Sequence, residues 1–115
     1  MGLVLGTAAS PALASGGEVQ ASACAKWGPT IQFDPISREV IAYGSSSCDF
    51  SLTIRHDKTF QSDPVLSRGY FSANQGGSVS FQCQSSGGSD GNVYAIVTDA
   101  SGSAETSRIS VSNCL

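Results

Sequence analysis

Residues 50–55 read FSLTIR, and this stretch decides the fold class. The apolar side chains of Phe50, Leu52 and Ile54 alternate with polar ones, which is the period of a half-buried antiparallel strand. Similar short runs, bounded by Gly, Pro, Asp or Ser, recur from Cys24 onward. No helical periodicity is sustained over three turns in this part of the chain. The sequence therefore predicts an all-β protein.

Six or seven short strands are expected. They cover residues 30–33, 39–43, 50–55, 70–73, 78–83, 93–98 and 108–112. The strand over 93–98 has two apolar faces, which indicates a central position, and it should form the last hairpin with 108–112. Strands at this spacing predict a sandwich or a small barrel, and we favour an antiparallel β-sandwich.

Length and charge limit the classes of partner. The chain has 115 residues, a net charge of −3 and 21 serines, which is room for one domain with a thin core. Its acidic balance disfavours nucleic acid and anionic membranes as partners. Its longest apolar stretch is too short and too rich in Ala, Gly and Ser to span a bilayer. We expect a monomer.

Residues 1–23 are expected to be a residual signal peptide and flexible arm, followed by a single domain over residues 24–115. An apolar run ends at Leu13, and small residues offer cleavage sites at 12–14 or 21–23. No basic residue precedes the run, so an apolar arm of a cytosolic protein is the alternative. Export predicts a secreted, extracellular protein.

The cysteines support export, because Cys24, Cys48, Cys83 and Cys114 are an even set that brackets the predicted domain. No CxxC pair or histidine cluster is present, so no metal site and no cofactor is predicted. Three disulfide pairings are possible for four cysteines. We favour Cys24–Cys48 with Cys83–Cys114, because each bond then closes one local half of the chain.

The segment from Tyr94 to Asp99, with Gly102 and the run 109–111, is similar to the closing strands of immunoglobulin-like domains. This resemblance implies an immunoglobulin-like sandwich. The family places a Tyr two residues before its second conserved Cys, and Ile96 stands at that Cys position here. The inter-sheet disulfide of antibody domains is therefore not expected.

A second resemblance covers residues 24–115. Cys48, the run SLTIRHDKTF, the segment 63–66, the run SVSFQC and the final Ser-Asn-Cys resemble small exported four-cysteine proteins of actinobacteria. The resemblance implies secretion and two disulfides. It carries no site residues.

His56 is the only histidine. It shares a strand face with Phe50, Leu52 and Ile54, but Asp57 and Lys58 follow it and indicate that the strand is leaving the sheet. We therefore expect His56 to be exposed, without an acid–base partner. No catalytic residue is predicted, since the sequence has no nucleophile motif around a serine.

Three residues are possible ligand contacts. Trp27 and Phe60 are the aromatic residues expected to reach the surface, although packing of Trp27 in the core or against a disulfide is the more economical interpretation. Alternation is expected to place the other candidates, Phe50, Phe81 and Tyr94, inside. Asp90 lies in the glycine-rich segment 87–92, which has one copy of a calcium-like pattern and is better explained as a flexible loop.

The leading hypothesis is a secreted, non-enzymatic binding or interaction module for an extracellular protein or carbohydrate. One alternative is a secreted effector, such as a small toxin or hydrolase inhibitor, that uses the loop over residues 84–92 beside Cys83. The other is a small hydrolase with His56 as its general base.

Overall fold

The computed structural model describes residues 24–115, in which all regular structure is β-strand. The predicted signal peptide and arm over residues 1–23 lie outside the described residues. The eight strands are β1 (Lys26–Asp34), β2 (Glu39–Ser46), β3 (Phe50–Asp57), β4 (Val65–Phe71), β5 (Gly76–Gln82), β6 (Gly91–Asp99), β7 (Gly102–Glu105) and β8 (Ile109–Val111). No helix in this part of the chain is long and apolar enough to cross a membrane.

The strands form two antiparallel sheets that pack as a β-sandwich. One sheet has the order β1-β2-β5. The other has the order β4-β3-β6-β7, and β8 also pairs with β6. The all-β fold and the two-disulfide sandwich predicted from alternation and cysteine count are confirmed. The central position predicted for β6 is confirmed too, because β6 pairs with β3 on one side and with β7 and β8 on the other.

The last hairpin differs from the expected one. The partner of the C-terminal half of β6 is β7, which pairs Gly102 with Asp99 across a two-residue turn, whereas β8 pairs with the N-terminal half. Thr106 fills the gap between β7 and β8. Its N–H donates to the Ala95 carbonyl at 2.9 Å, and its hydroxyl accepts the Ala95 N–H at 3.0 Å. One edge is thus made by two short strands, which explains why there are eight strands rather than six or seven.

The core lies between the sheets and is built from small and medium side chains. Core-facing residues alternate along β2 as Val40 and Ala42, and along β3 as Phe50, Leu52 and Ile54. Thr53 is buried too, on the opposite face of β3. From the second sheet, the core also receives Val93, Ala95, Val97 and Val111. The rings of Phe50 and Phe71 stack with centroids 5.3 Å apart. The alternation read from residues 50–55 therefore defines the buried face of β3.

Both disulfides join the cysteines that the sequence analysis paired. Cys24–Cys48 connects the start of β1 to the segment after β2, and Cys83–Cys114 connects the end of β5 to the segment after β8. The two bonds lie at opposite ends of the sandwich. Cys83 and Cys114 are buried within the core cluster, whereas Cys24 and Cys48 are half-buried.

Candidate functional site

The outer face of the three-stranded sheet carries an open groove of about 440 Å³. Its walls and floor come from all three strands: Trp27, Gly28, Thr30, Tyr43, Gly44, Ser45, Gly76, Gly77 and Ser78. A volume of this size lies within the range of small-molecule sites in proteins. Depressions of about 500 and 470 Å³ lie elsewhere on residues 24–115, so volume does not single out the groove. The groove is the candidate functional site because two exposed aromatic side chains border a floor of glycine backbone.

A β-bulge in β1 brings Trp27 onto the groove face. Trp27 pairs with Ser45 and Thr30 pairs with Tyr43, so two residues of β1 lie opposite the single residue Gly44 of β2. Trp27 and Thr30 are three residues apart, and regular alternation would put them on opposite faces. Because of the extra residue, the side chains of Trp27 and Thr30 lie on the same face of the sheet. Gly28 within the bulge has a φ of 81°, a conformation that favours glycine.

Two aromatic side chains stand exposed at the groove. Trp27 is 55% exposed and Tyr43 is 48% exposed. The interpretation of Trp27 as core or disulfide packing is therefore wrong. Trp27 is thus accessible from solvent, and its role as a ligand contact stays a prediction. Exposed aromatic faces beside polar groups are typical of binding surfaces.

Glycines keep the floor of the groove free of side chains. Gly44 and Gly77 are paired across β2 and β5. A Cβ on Gly44 would lie 2.5 Å from Val97 Cγ2, and one on Gly77 would lie 2.6 Å from Phe71 Cγ. The core side of these two glycines therefore has no space for a side chain. A Cβ on Gly76, by contrast, would meet nothing within 4 Å.

Three hydroxyl side chains lie beside the aromatic rings. Register places Thr30, Tyr43 and Ser78 across one another on neighbouring strands, and Ser45 follows on the same face. Within residues 24–115, no side-chain hydrogen bond joins Thr30, Ser45 or Ser78 to another residue. Their hydroxyls therefore retain both donor and acceptor capacity toward a ligand.

The edge of the groove is anchored by a buried carboxylate. Lys26, which precedes Trp27, donates to Asp99 Oδ1 at 3.0 Å, and the Asp99 side chain is fully buried. The Ser46 hydroxyl donates to Asp99 Oδ2 at 2.7 Å, and Ser101 donates from its hydroxyl and its N–H. Asp99 thus connects β1 and β2 of one sheet to β6 of the other.

The pKa of Asp99 reflects two opposing causes. Burial raises the pKa of the carboxyl, because it disfavours the charged form. Hydrogen bonds from Ser46, Ser101 and Lys26 outweigh burial and hold the pKa well below its usual range. Asp99 is therefore ionised at neutral pH and neutralises Lys26, so this cation is not available to the groove.

The three residues predicted as ligand contacts do not lie together. Asp90 is just before β6 and Asp99 is its last residue, so about 30 Å of strand separates Asp90 from the Trp27 end. Phe60 is 101% exposed in the loop after β3, at the Asp90 end of the sandwich. Asp90 accepts the Asn113 N–H at 2.9 Å and lines a separate polar depression. Only Trp27 belongs to the groove.

His56 differs from its predicted exposure. Strand β3 continues to Asp57, and His56 pairs with Val93 on the core face, where it is half-buried. A Cβ on Gly91 would lie 3.0 Å from His56 Nε2 and 2.7 Å from Leu115 Cδ1, so the imidazole packs over this glycine. The Asp57 carboxylate accepts from Arg108 instead. Within residues 24–115, His56 has no side-chain hydrogen bond to a carboxylate or a serine.

Tyr94 is buried, but on the opposite face of β6 from the one expected. Val93, Ala95 and Val97 face the core, and Tyr94 is covered on the outer face by the Arg108 guanidinium, 3.7 Å from its ring centre. Its hydroxyl donates to Asp63. Burial, with the hydrogen bond to Asp63 and its negative charge, raises the pKa of Tyr94 to about 12. The ring fixes the loop after β3 and is not part of the groove.

The loop proposed for an inhibitor is attached to the body of the domain. Ser89 exchanges backbone hydrogen bonds of 2.8 and 3.0 Å with Leu115, and it also accepts the Cys114 N–H. The Arg38 guanidinium donates to the Gln84 and Asn113 carbonyls. These contacts hold the loop against the C-terminal segment, so its backbone does not project as an isolated arch.

Tyr43 was not among the aromatic residues predicted to reach the surface. A signal for its exposure was present, because Val40 and Ala42 alternate with Ile41 and Tyr43. If Val40 and Ala42 face the core, Tyr43 must face outward. Ile36 and Tyr70 are 93% and 77% exposed, and their exposure was not predicted either.

Residues 24–115 contain no group of three or more His, Cys, Asp or Glu side chains placed to hold a metal ion. Comparison with protein-family models, with curated proteins and with solved structures finds no match for this chain.

Proposed function

We propose that the protein is an extracellular, non-enzymatic binding module whose ligand lies in the groove between Trp27 and Tyr43. The observation that carries this proposal is the exposure of both aromatic side chains beside a floor made of glycine backbone. Free exposure of two large aromatic groups costs solvation free energy unless a ligand covers them. The two disulfides are compatible with the oxidising extracellular environment.

The strands give the groove a rigid frame. Trp27, Tyr43 and Ser78 lie on three adjacent hydrogen-bonded strands, and the Cys24–Cys48 bond and the Asp99 contacts hold the same end of the sandwich. A site on a preorganised sheet loses little conformational entropy when it binds. This favours recognition of a ligand without rearrangement of the domain.

The test is to map small-fragment binding by two-dimensional NMR of the ¹⁵N-labelled protein. The library contains monosaccharides, amino-acid amides and nucleosides, so that the map does not depend on one ligand class. We expect the amide signals of Trp27, Tyr43 and Gly76 to Ser78 to shift in concert. Shifts that instead concentrate at Phe60, at Asp90 or nowhere would refute the groove as the binding surface.

Two leucine substitutions provide a test of the groove and its matched control. Gly76→Leu places a side chain into open space above the groove floor, and it should abolish the shifts without unfolding the domain. Ser85→Leu adds the same side chain to the exposed loop at the other end of the sandwich. It should leave the shifts unchanged, and a loss of binding in both variants would contradict the proposal.

A further inference from the structure

We propose that the ligand of the groove is a neutral saccharide chain, with sugar rings stacked on Trp27 and Tyr43. This inference rests on the proposed function and adds the chemical class of the ligand. It depends on three properties of the groove: the placement of the two rings, the free hydroxyls between strands and the absence of charge among the lining residues.

The two aromatic rings are placed for a ligand longer than one sugar. Trp27 pairs with Ser45, and Tyr43 is two residues before Ser45 on the same face of β2. Diagonal neighbours of this kind on adjacent strands are about 7–8 Å apart at their Cα atoms. Adjoining rings of one oligosaccharide can reach both side chains. Each sugar presents a face of C–H groups, which is attracted by the negative face of an aromatic ring.

The hydroxyl side chains match the rim of a sugar. Thr30, Ser45 and Ser78 lie beside the rings and can each donate and accept hydrogen bonds. A sugar carries both kinds of group around its edge, so it pairs with these hydroxyls while its C–H face covers an aromatic ring. An aliphatic peptide side chain would instead leave them unpaired, which costs free energy on burial.

The groove has no charged lining residue. None of the nine lining residues is Asp, Glu, Lys, Arg or His, and the adjacent Lys26 is paired with Asp99. A sulfated or carboxylated saccharide would therefore lose hydration of its charge without gaining an ion pair. The net charge of −3 adds a weak repulsion toward acidic chains. Neutral saccharides fit best.

The test uses neutral tetrasaccharides of β-1,4-linked glucose, N-acetylglucosamine and mannose. Trp27 is the only tryptophan in the chain, so its fluorescence reports on the groove alone. We expect at least one tetrasaccharide to give a saturable shift of this emission. A sulfated tetrasaccharide of the same length should bind at least tenfold more weakly, and equal or tighter binding of the sulfated chain would overturn neutrality.

Variants identify the stacking residues by calorimetry. Trp27→Ala and Tyr43→Ala should each weaken binding by roughly tenfold, whereas Tyr43→Phe, which keeps the ring, should weaken it much less. Tyr70→Ala removes another exposed tyrosine, which lies on β4 in the other sheet. It should leave the affinity for the saccharide unchanged. Loss of affinity in Tyr70→Ala equal to that in Tyr43→Ala would contradict the proposal.

The two proposals fail in different ways. Fragment shifts at the groove, combined with no saturable binding of any tetrasaccharide, would refute the saccharide and leave the binding module. A groove that binds neither fragments nor tetrasaccharides would refute both.

Discussion

A single buried carboxylate links the two sheets beside the groove. Asp99 accepts hydrogen bonds from Lys26 of β1 and Ser46 of β2. If the carboxylate is removed, Ser46 loses its acceptor, and Lys26 keeps only the Ser101 hydroxyl at 2.8 Å. Ser46 is itself fully buried, so its hydroxyl would be left without the carboxylate it now meets. The contribution of the Asp99 charge to stability therefore depends on the hydrogen-bond donors that surround it.

We predict that Asp99→Ala lowers the free energy of unfolding at pH 7 by about 3 kcal/mol, as measured by chemical denaturation. The dependence of the free energy of unfolding on pH should change at acid pH as well. The folded-state pKa of Asp99 is lower than its unfolded value of about 3.9, so its contribution is present above that value and is lost as the pH falls through the folded pKa. The stability of the wild type should therefore fall more steeply below about pH 4 than that of the variant.

Asp57→Ala is the control for this prediction. Asp57 also pairs with an arginine, but its side chain and that of Arg108 are 37% and 38% exposed. Solvent screens such pairs, so the loss should be under about 1 kcal/mol. An equal loss in the two variants would show that burial of Asp99 adds nothing.

At the scale of the strand, the paired glycines of β2 and β5 allow close packing on the core side and form the groove floor on the outer side. On one side, Gly77 lets the Phe71 ring approach the backbone of β5, and on the other it contributes to the floor of the groove. The adjacent Gly76 faces open space. Neighbouring glycines in the same strand therefore have opposite tolerance for a side chain.

We predict that Gly77→Ala destabilises the domain by about 1–3 kcal/mol, because the new Cβ overpacks the Phe71 ring. Gly76→Ala should change stability by less than about 1 kcal/mol, since its Cβ meets no neighbour within 4 Å. Thermal denaturation of the two variants in parallel checks the difference. Equal midpoints would contradict the close packing assigned to Gly77.

At the scale of the whole molecule, each disulfide stabilises one end of the sandwich. They span 24 and 31 residues, and in the chain-entropy model loops of this length contribute about 3–4 kcal/mol each. Small domains are stable by only about 5–15 kcal/mol, so either bond is a large share of the total. The bonds differ in access, because only Cys83–Cys114 has both cysteines buried in the core.

We predict that a mild reductant opens Cys24–Cys48 before Cys83–Cys114. The reductant must reach a sulfur atom, and the half-buried bond is reached without exposing the core. Alkylation at timed intervals followed by mass spectrometry of the peptides measures the order. Simultaneous loss of both bonds, or earlier loss of Cys83–Cys114, would contradict it.

The sequence by itself was sufficient for the fold class and for the core face of β3. It left three cysteine pairings open, and the structure has the pairing that we favoured. These features depend on local information. Alternation defines the two faces of a strand, and a bond between neighbouring segments requires no knowledge of distant contacts. The same reasoning could have placed Tyr43 on the outer face of β2, because Val40 and Ala42 share the buried one.

Only the tertiary structure decided which residues share the groove and which outward-facing side chains are buried by other segments. The bulge at Gly28 puts Trp27 and Thr30 on one face against simple alternation, and its position depends on the pairing of β1 with β2. Tyr94 faces outward, yet it is buried because Arg108 and Asp63 arrive from other segments. The physical reason is that a strand's own sequence determines the direction of each side chain, whereas burial depends on what distant parts of the chain place above it.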